Sequence, residues 1–218
     1  MHPKRLFKIA ALAALAATGP APQAAVLTFD DLVGTGPTGP GLDWFTADYQ
    51  GFRFGNNSAQ TNTWFHTDES ASGGSLPEYT PVSGARYVAT CAPDPTQCPS
   101  HTGALHEATL PITSAIDIVF NGAYFSGYDT VYYELYDDGA LVHTSAASPD
   151  LGGTGVPVFV ASGYFGAVDQ VVVRGRQGFF AMDDFTYSVV SEPGGLALVA
   201  LAGLMGLATR RRLPLAGG

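Results

Sequence analysis

Between residues 26 and 190 the hydrophobic positions form short runs, and no helical period lasts beyond a turn or two. Short runs of β-branched and aromatic residues are separated by Gly, Pro, Asn, Asp and Ser, as in all-β domains. The predicted strands, besides one hairpin, are 26–29, 50–54, 85–90, 115–120, 156–161, 170–174 and 180–190. This inventory of about nine strands predicts a single, jelly-roll-like β-sandwich over residues 26–190.

The clearest unit is TVYYELYDDGALVHTS, residues 130–145. Alternation assigns its side chains to opposite faces of the first strand: Tyr132, Glu134 and Tyr136 on one face, Val131, Tyr133 and Leu135 on the other. Asp138-Gly139 supplies the positive φ angles of a two-residue type I′ turn, which predicts a hairpin. By contrast, the small and polar residues of 34–43 and 55–76 predict loops, where sandwich domains carry binding residues.

The N-terminus has the three-part pattern of a secretory signal peptide. Basic residues at positions 4, 5 and 8 precede an apolar run at 9–17, and small residues follow it. The run is too short to cross a bilayer comfortably. We therefore expect residues 1–25 to be a signal peptide, cleaved between Ala21 and Val26, and the rest of the chain to be exported.

The charge distribution narrows the class of partner. Residues 26–191 contain four arginines, no lysine and 18 of the 19 acidic residues, which is a formal net charge of −14. Such a charge repels nucleic acid phosphates and anionic lipid headgroups, so no nucleic acid partner is expected. Neutral glycans, divalent cations and basic surfaces remain as partners.

The two cysteines, Cys91 and Cys98, lie in the Pro-rich segment CAPDPTQC. In an exported protein this pattern predicts one local disulfide. A zinc site is the alternative, because His101 and His106 complete four zinc-ligating side chains within sixteen residues. The spacing lacks a Cys-x-x-Cys knuckle and favours the disulfide.

Two pairs of aspartates stand at opposite ends of the predicted sandwich, Asp30-Asp31 on the first strand and Asp183-Asp184 on the last. If these strands are neighbours, the carboxylates converge, and converging carboxylates are the ligands of a Ca²⁺ site. The alternative is that these aspartates make local hydrogen bonds and keep a sheet edge soluble. Calcium is the only cofactor that the sequence predicts.

Aromatic side chains in predicted loops offer flat apolar faces to sugar rings, beside polar groups that bind hydroxyls. The sequence predicts a glycan platform on this basis, formed by Trp44, Tyr49, Trp64 and His66, with Asp43, Asn62 and Asp68 nearby. The alternative is that these rings pack in the core of the sandwich.

No motif predicts catalysis. The chain has no Gly-x-Ser-x-Gly elbow, no His-Glu-x-x-His pair and no Gly-rich phosphate loop. A glycosidase requires only two suitably placed carboxylates, so a glycoside-active enzyme stays a less favoured alternative. His66, His101 and His106 in predicted loops, and His143 on the hairpin, are expected to be surface residues.

The C-terminal stretch EPGGLALVALAGLMGLATRRR contains about thirteen consecutive apolar or glycine residues, roughly 20 Å as a helix. That length falls short of the roughly 30 Å hydrocarbon core of a bilayer, so we expect a transient rather than a permanent membrane segment. Arg210, Arg211 and Arg212 follow it and place its end on the cytoplasmic side, with the acidic domain outside.

This stretch resembles the PEP-CTERM sorting signal of Gram-negative bacteria. Glu192, Pro193 and Gly194 precede the apolar helix and the arginines, and Ser191 stands where the signal usually has its first proline. The resemblance implies that residues 191–212 are recognised in the inner membrane by an exosortase, cleaved near Glu192-Pro193, and that the protein reaches the cell surface or extracellular matrix. Residues 213–218 form a tail. Proteins with this signal commonly accompany exopolysaccharide and biofilm genes.

The predicted domain is similar to β-sandwich domains of PEP-CTERM proteins in three short segments: LTFDDL, YQGFRF and FFAMDDFTY. The last also resembles the closing strand of lectin-like jelly rolls, which implies a carbohydrate-binding-like module. The sequence thus predicts an exported, non-catalytic surface or matrix protein that binds polysaccharide, with the secretion machinery and an exosortase as processing partners. A structural matrix protein or adhesin without a glycan site is the main alternative.

Overall fold

The structure is a computed structural model that describes residues 24–33, 43–56, 64–68, 79–89, 108–176 and 180–190. Within these residues there is no helix, and eleven strands form one antiparallel sheet, which confirms the predicted all-β class. The strands are β1 (Ala24–Leu27), β2 (Asp43–Trp44), β3 (Phe52–Phe54), β4 (Phe65–Asp68), β5 (Arg86–Ala89), β6 (Ala108–Gly127), β7 (Val131–Asp137), β8 (Ala140–Thr144), β9 (Val158–Ala161), β10 (Val168–Gly175) and β11 (Phe180–Val189).

The sheet is organised around β6, a strand of 20 residues. The strand order is β2-β4-β5-β11-β6-β10-β7-β8, with β1 beside β11 and with β3 and β9 beside β6. β6 changes partners near Ile118: its first half pairs with β10 and β3, and its second half pairs with β11 and β9. At Gly122 an added Cβ would lie 2.3 Å from the Val160 carbonyl oxygen, so only glycine allows β9 to lie beside β6 there.

The predicted hairpin is confirmed as β7 and β8. Asp138 and Gly139 form its turn with φ angles of 49° and 76°, the positive values that a type I′ turn requires. The predicted alternation along β7 is confirmed as well, because Val131, Tyr133 and Leu135 are fully buried while the intervening side chains are partly exposed.

Aromatic rings in the main core connect paired strands and also strands that are not hydrogen-bonded to one another. The ring of Phe120 packs against Tyr133 at 4.8 Å and against Phe185 at 4.6 Å between centroids. The buried Tyr133 hydroxyl donates a hydrogen bond to the Val160 carbonyl at 2.9 Å and accepts one from the Ala123 amide at 3.2 Å. Its burial raises the pKa of Tyr133 well above the ordinary value. The Tyr133 side chain therefore links β7 to β6 and β9 by hydrogen bonds.

The prediction that residues 55–76 form a loop is wrong at its centre, where β4 lies between β2 and β5. Phe65 and His66 on this strand are both buried, although they point to opposite faces. Phe65 joins a second, smaller hydrophobic cluster with Tyr87 and its neighbours. A four-residue strand flanked by polar residues carries too little hydrophobic pattern to be predicted.

Candidate functional site

The predicted aspartate pairs approach one another because β1 and β11 are neighbours, with Leu27 opposite Phe185. Asp30, Asp183 and Asp184 all contact one segment, residues 82–86, which leads into β5. Asp31 points elsewhere and accepts a hydrogen bond from the Tyr49 hydroxyl. That bond adds to the effect of burial, and together they raise the pKa of Tyr49.

Asp183 is the most deeply placed of these carboxylates, with 3% of its surface exposed. Its Oδ2 atom accepts hydrogen bonds from the amides of Val82 at 2.8 Å and Ser83 at 3.0 Å, and its Oδ1 atom accepts one from the Asp184 amide at 2.7 Å. Burial raises the pKa of Asp183 to about 6, with the neighbouring Asp184 charge adding to the shift and the amide bonds opposing it.

The other end of the segment is held by Asp30. Its Oδ1 atom accepts hydrogen bonds from the amides of Ala85 at 3.1 Å and Arg86 at 3.4 Å. The carboxylate lies directly over Gly84, where φ is +51° and an added Cβ would come within 1.8 Å of Oδ1. Glycine is therefore required at position 84 both for the backbone conformation and for the close approach of Asp30.

These contacts use the carboxylate oxygens for hydrogen bonds within the protein, as the local-bonding interpretation expects. Among the described residues no group of three or more His, Cys, Asp or Glu side chains is arranged to hold a metal ion. Calcium binding at Asp30, Asp31, Asp183 and Asp184 stays a prediction, and a cation there would compete with the bonds to residues 82–86.

The predicted aromatic platform is wrong as an exposed surface for three of its four members. Trp64 is 0% exposed, His66 is 5% exposed and Tyr49 is buried, because their rings pack in the interior. Trp44 alone is half-buried, and its ring meets the edge of Phe65 at 5.7 Å. A sugar ring needs an open aromatic face, and Trp64 provides none.

His66 and His143 were both expected on the surface, but His66 is buried and His143 is half-buried. The ring of His66 meets Phe45 at 5.3 Å, and burial lowers its pKa to about 4, with the Asp43 charge opposing and the Arg86 charge adding to the shift. His143 is half-buried, stacks on Tyr164 at 5.2 Å and lies with Nε2 3.1 Å from the Ser162 carbonyl oxygen. Neither histidine is placed as an exposed base or ligand.

A surface that the sequence did not single out lies on the outer face of β7 and β10. We call it the tyrosine face and define it by five side chains, all partly exposed: Tyr132, Glu134, Tyr136, Gln170 and Arg174. The strand register sets Gln170 opposite Tyr136 and Arg174 opposite Tyr132. The alternation along β7 was the available signal, since it placed both tyrosines and the glutamate on one face.

Glu134 stands between the two tyrosines, and its hydrogen bonds to the described residues all use one oxygen. Its Oε2 atom accepts hydrogen bonds from Arg174 Nε at 2.9 Å, Arg174 Nη2 at 2.7 Å and the Tyr136 hydroxyl at 3.0 Å. The bond to Glu134 raises the pKa of Tyr136. In the described part of the chain no donor reaches Glu134 Oε1, and the side-chain amide of Gln170 makes no hydrogen bond. Among the described residues, the face therefore offers Glu134 Oε1 between two aromatic rings and the Gln170 side-chain amide opposite Tyr136.

Asp137, the last residue of β7, lies near three other acidic side chains, Asp117, Asp138 and Asp169. Burial raises the pKa of Asp137, and the charges of the other three aspartates add to the shift. These neighbouring like charges make the surface around the end of β7 negative.

Several predicted features lie outside the described residues: most of the signal peptide, the Cys91 and Cys98 pair with His101 and His106, and the sorting residues Ser191, Glu192, Pro193, Gly194, Arg210, Arg211 and Arg212. In the part of the chain that is described, no helix has the length and apolar character needed to cross a membrane.

Comparison with known proteins adds no relative to this picture. A scan against protein-family models, a search of curated proteins and a search of solved structures each find no match to the chain.

Proposed function

We propose that this chain is an exported, non-catalytic surface or matrix protein whose β-domain binds polysaccharide at the tyrosine face. The observation that carries the proposal is the pair of partly exposed tyrosines on one strand, with Glu134 between them, whose Oε1 atom no donor of the described residues reaches. Sugar rings combine an apolar face with a rim of hydroxyls, and they bind where aromatic rings stand beside hydrogen-bonding groups.

The spacing of the tyrosine face suits a polymer rather than a single sugar. Tyr132 and Tyr136 are four residues apart on β7, or about 13 Å along an extended strand. Two separated aromatic contacts with polar groups between them favour an extended chain of sugars that lies along the strand.

We infer further that the sheet folds into the two layers of a β-sandwich, with the tyrosine face on the outside of one layer. The support is the buried Tyr133, which reaches β6 and β9 although the described ladders pair β7 only with β8 and β10. Side chains that join strands across a sheet in this way are typical of sandwich cores.

Export and sorting are supported by the two ends of the sequence, which resemble a signal peptide and an exosortase signal. The domain itself is compatible with removal of both. Ala24 on β1 is the Cα partner of Ser188 on β11, so the two ends of the domain lie side by side. We propose that the matured domain remains at the cell surface or in the extracellular matrix.

Binding of the full chain to exopolysaccharide tests the proposal. The chain is kept in a polyoxyethylene detergent, which has no sugar headgroup, and its retardation is measured in gels that contain the polysaccharide. Tyr136→Ala is expected to weaken binding by about fivefold to tenfold, the value of one aromatic contact. Phe165→Ala is the matched control, because Phe165 is an aromatic side chain that is 88% exposed between β9 and β10 and does not belong to the tyrosine face as defined.

Retardation that is equal for the two variants would contradict the assignment of the tyrosine face. No binding by the wild-type chain would favour the alternative, a structural matrix protein without a glycan site. Release of reducing sugar that a single Asp or Glu substitution abolishes would favour the glycoside-active enzyme.

A further inference from the structure

A second pair of exposed aromatic rings lies on β6 and β9. Tyr124 and Phe159 are Cα partners in the antiparallel ladder, and their ring centroids are 5.1 Å apart. Phe159 also lies over Gly122, where an added Cβ would come within 2.8 Å of its Cζ atom. The glycine backbone thus supports the ring, while 42% of Phe159 remains exposed. A supported ring with an open face is suited to stacking against a sugar ring.

The surface around this pair crosses four adjacent strands. We call it the Phe159 face and define it by four side chains that are exposed or partly exposed: Phe159, Tyr124, Thr186 and Val26. Gly122 is the Cα partner of Ala161 on β9 and of Thr186 on β11. Thr186 is in turn the partner of Val26 on β1. Four strands at about 4.8 Å spacing make the face about 14 Å wide, which is enough for more than one sugar ring.

The Phe159 face combines apolar surface with hydroxyl groups. The Thr186 hydroxyl donates a hydrogen bond to the Asp184 carbonyl at 2.9 Å, so its oxygen remains an acceptor. The Tyr124 hydroxyl makes no hydrogen bond within the described part of the chain. None of the four side chains is charged, although residues 26–191 have a formal net charge of −14. An uncharged aromatic patch on so acidic a domain is typical of a binding surface.

The Phe159 face and the tyrosine face point in opposite directions. On β6, Ala123 and Phe125 are fully buried and both contact Tyr133 of β7, the first through its amide and the second ring to ring at 6.0 Å. Tyr124 lies between them in the chain and therefore points away from β7. On β7, Tyr132 precedes Tyr133 and points away from β6 for the same reason. One straight segment of polymer cannot lie against both faces.

We propose that the Phe159 face is a second polysaccharide-binding site, so that one domain bridges two segments of polymer. This second site rests on the proposed polysaccharide-binding function, which supplies the first site at the tyrosine face. Two sites on opposite sides of one domain make the protein a cross-link in a polysaccharide matrix, and no partner chain is needed for the effect.

Clustering of beads that carry covalently attached exopolysaccharide tests the second site. The full chain is kept in polyoxyethylene detergent, with micelles in excess so that no micelle carries two chains. Light scattering measures bead clustering, and the protein that sediments with the beads measures binding. We expect clustering by the wild type to rise with protein concentration and then to fall, because excess protein occupies every polymer segment separately.

Variants of the two faces identify the bridge. Phe159→Ala and Tyr136→Ala each remove one site, so each should lower clustering by about tenfold or more and still bind single beads through the other face. Phe159→Leu keeps an apolar side chain over Gly122 but has no flat ring, and it should cluster beads as poorly as Phe159→Ala. Urea unfolding equal to that of the wild type checks that Phe159→Leu is folded. Phe165→Ala is the control outside both faces as defined and should cluster beads like the wild type.

Binding of the wild type without clustering would overturn the second site. So would clustering that both Phe159 variants leave unchanged, or an equal loss of clustering in Phe165→Ala. These results leave polysaccharide binding at the tyrosine face intact. Failure of the wild type to bind the beads at all would overturn the proposed function as well, so the two failures are distinguishable.

Discussion

Replacing Asp183 by Asn separates two effects that act on this carboxylate. Burial raises its pKa from 3.8 to about 6, whereas the amides of Val82, Ser83 and Asp184 act in the opposite direction. Between about pH 4 and pH 6 the native state keeps a proton that the unfolded state releases. The contribution of Asp183 to the free energy of unfolding is therefore largest below that window. It falls as the pH rises through the window and no longer changes above it.

The magnitude follows from the shift. One pKa unit corresponds to about 1.36 kcal/mol, so a change of about two units sets an upper limit of about 3 kcal/mol. Asp183→Asn has no charge at any of these pH values and loses this dependence. The NH₂ group of the asparagine also faces backbone N–H groups that need an acceptor. The hydrogen bonds lost in this way cost about 1–3 kcal/mol of stability at every pH.

Urea unfolding of the wild type and Asp183→Asn from pH 4 to pH 8 gives the free energy of unfolding at each pH. We expect the wild type's advantage over the variant to fall by about 2–3 kcal/mol between pH 4 and pH 7. Asp150→Asn makes the same change of charge on an exposed turn. It is the control for the pH dependence of unfolding that the other carboxylates cause. An advantage that rises with pH would refute the reasoning, because it would mean that the amide bonds outweigh burial.

Four further predictions concern packing and the metal. Gly84→Ala should cost about 2–3 kcal/mol in urea unfolding, because its methyl group meets Asp30, while Gly139→Ala, at positive φ with open space around it, should cost only about 1 kcal/mol. Tyr133→Phe should cost about 1–3 kcal/mol by the same measurement, since it leaves a buried amide and carbonyl without their partner; a loss within error would contradict that assignment. Trp64→Ala should lower stability by about 3–5 kcal/mol, and loss of glycan binding with no change in stability would return Trp64 to the binding site. A strong calcium site at the four aspartates predicts a higher melting temperature in calcium than in chelator, equivalent to about 2.7 kcal/mol at a hundred times Kd, and identical melting would exclude it.

The parts of the fold that sequence predicted are those set by local chemistry. The β7–β8 hairpin depends on a two-residue period and on two positive φ angles at Asp138 and Gly139, both of which are encoded within sixteen consecutive residues. The sequence left open whether the first and last strands are neighbours, and the structure pairs β1 with β11.

The candidate site was harder to predict because it depends on contacts distant in the chain. Trp64 and His66 were interpreted as loop residues, and their burial follows from the pairing of β4 with β2 and β5, which no local pattern encodes. The bond between Asp183 and the Ser83 amide likewise joins residues 100 positions apart. Sequence identified the aspartates as special but gave no means of finding their partners.

The location of the tyrosine face on paired strands has a consequence for binding. The ladder fixes the positions of the rings and polar groups on β7 and β10. Binding therefore orders the polymer but requires little further ordering of the protein. The same ladder ties the face to the core, because a register shift of one residue on β7 would turn Tyr132 and Tyr136 inward and Tyr133 outward. Substitutions on the outer positions should therefore change binding without changing stability, whereas substitutions at the inner positions should do the reverse. That separation, measured on adjacent residues of one strand, is what distinguishes a binding face from an ordinary exposed side of a sheet.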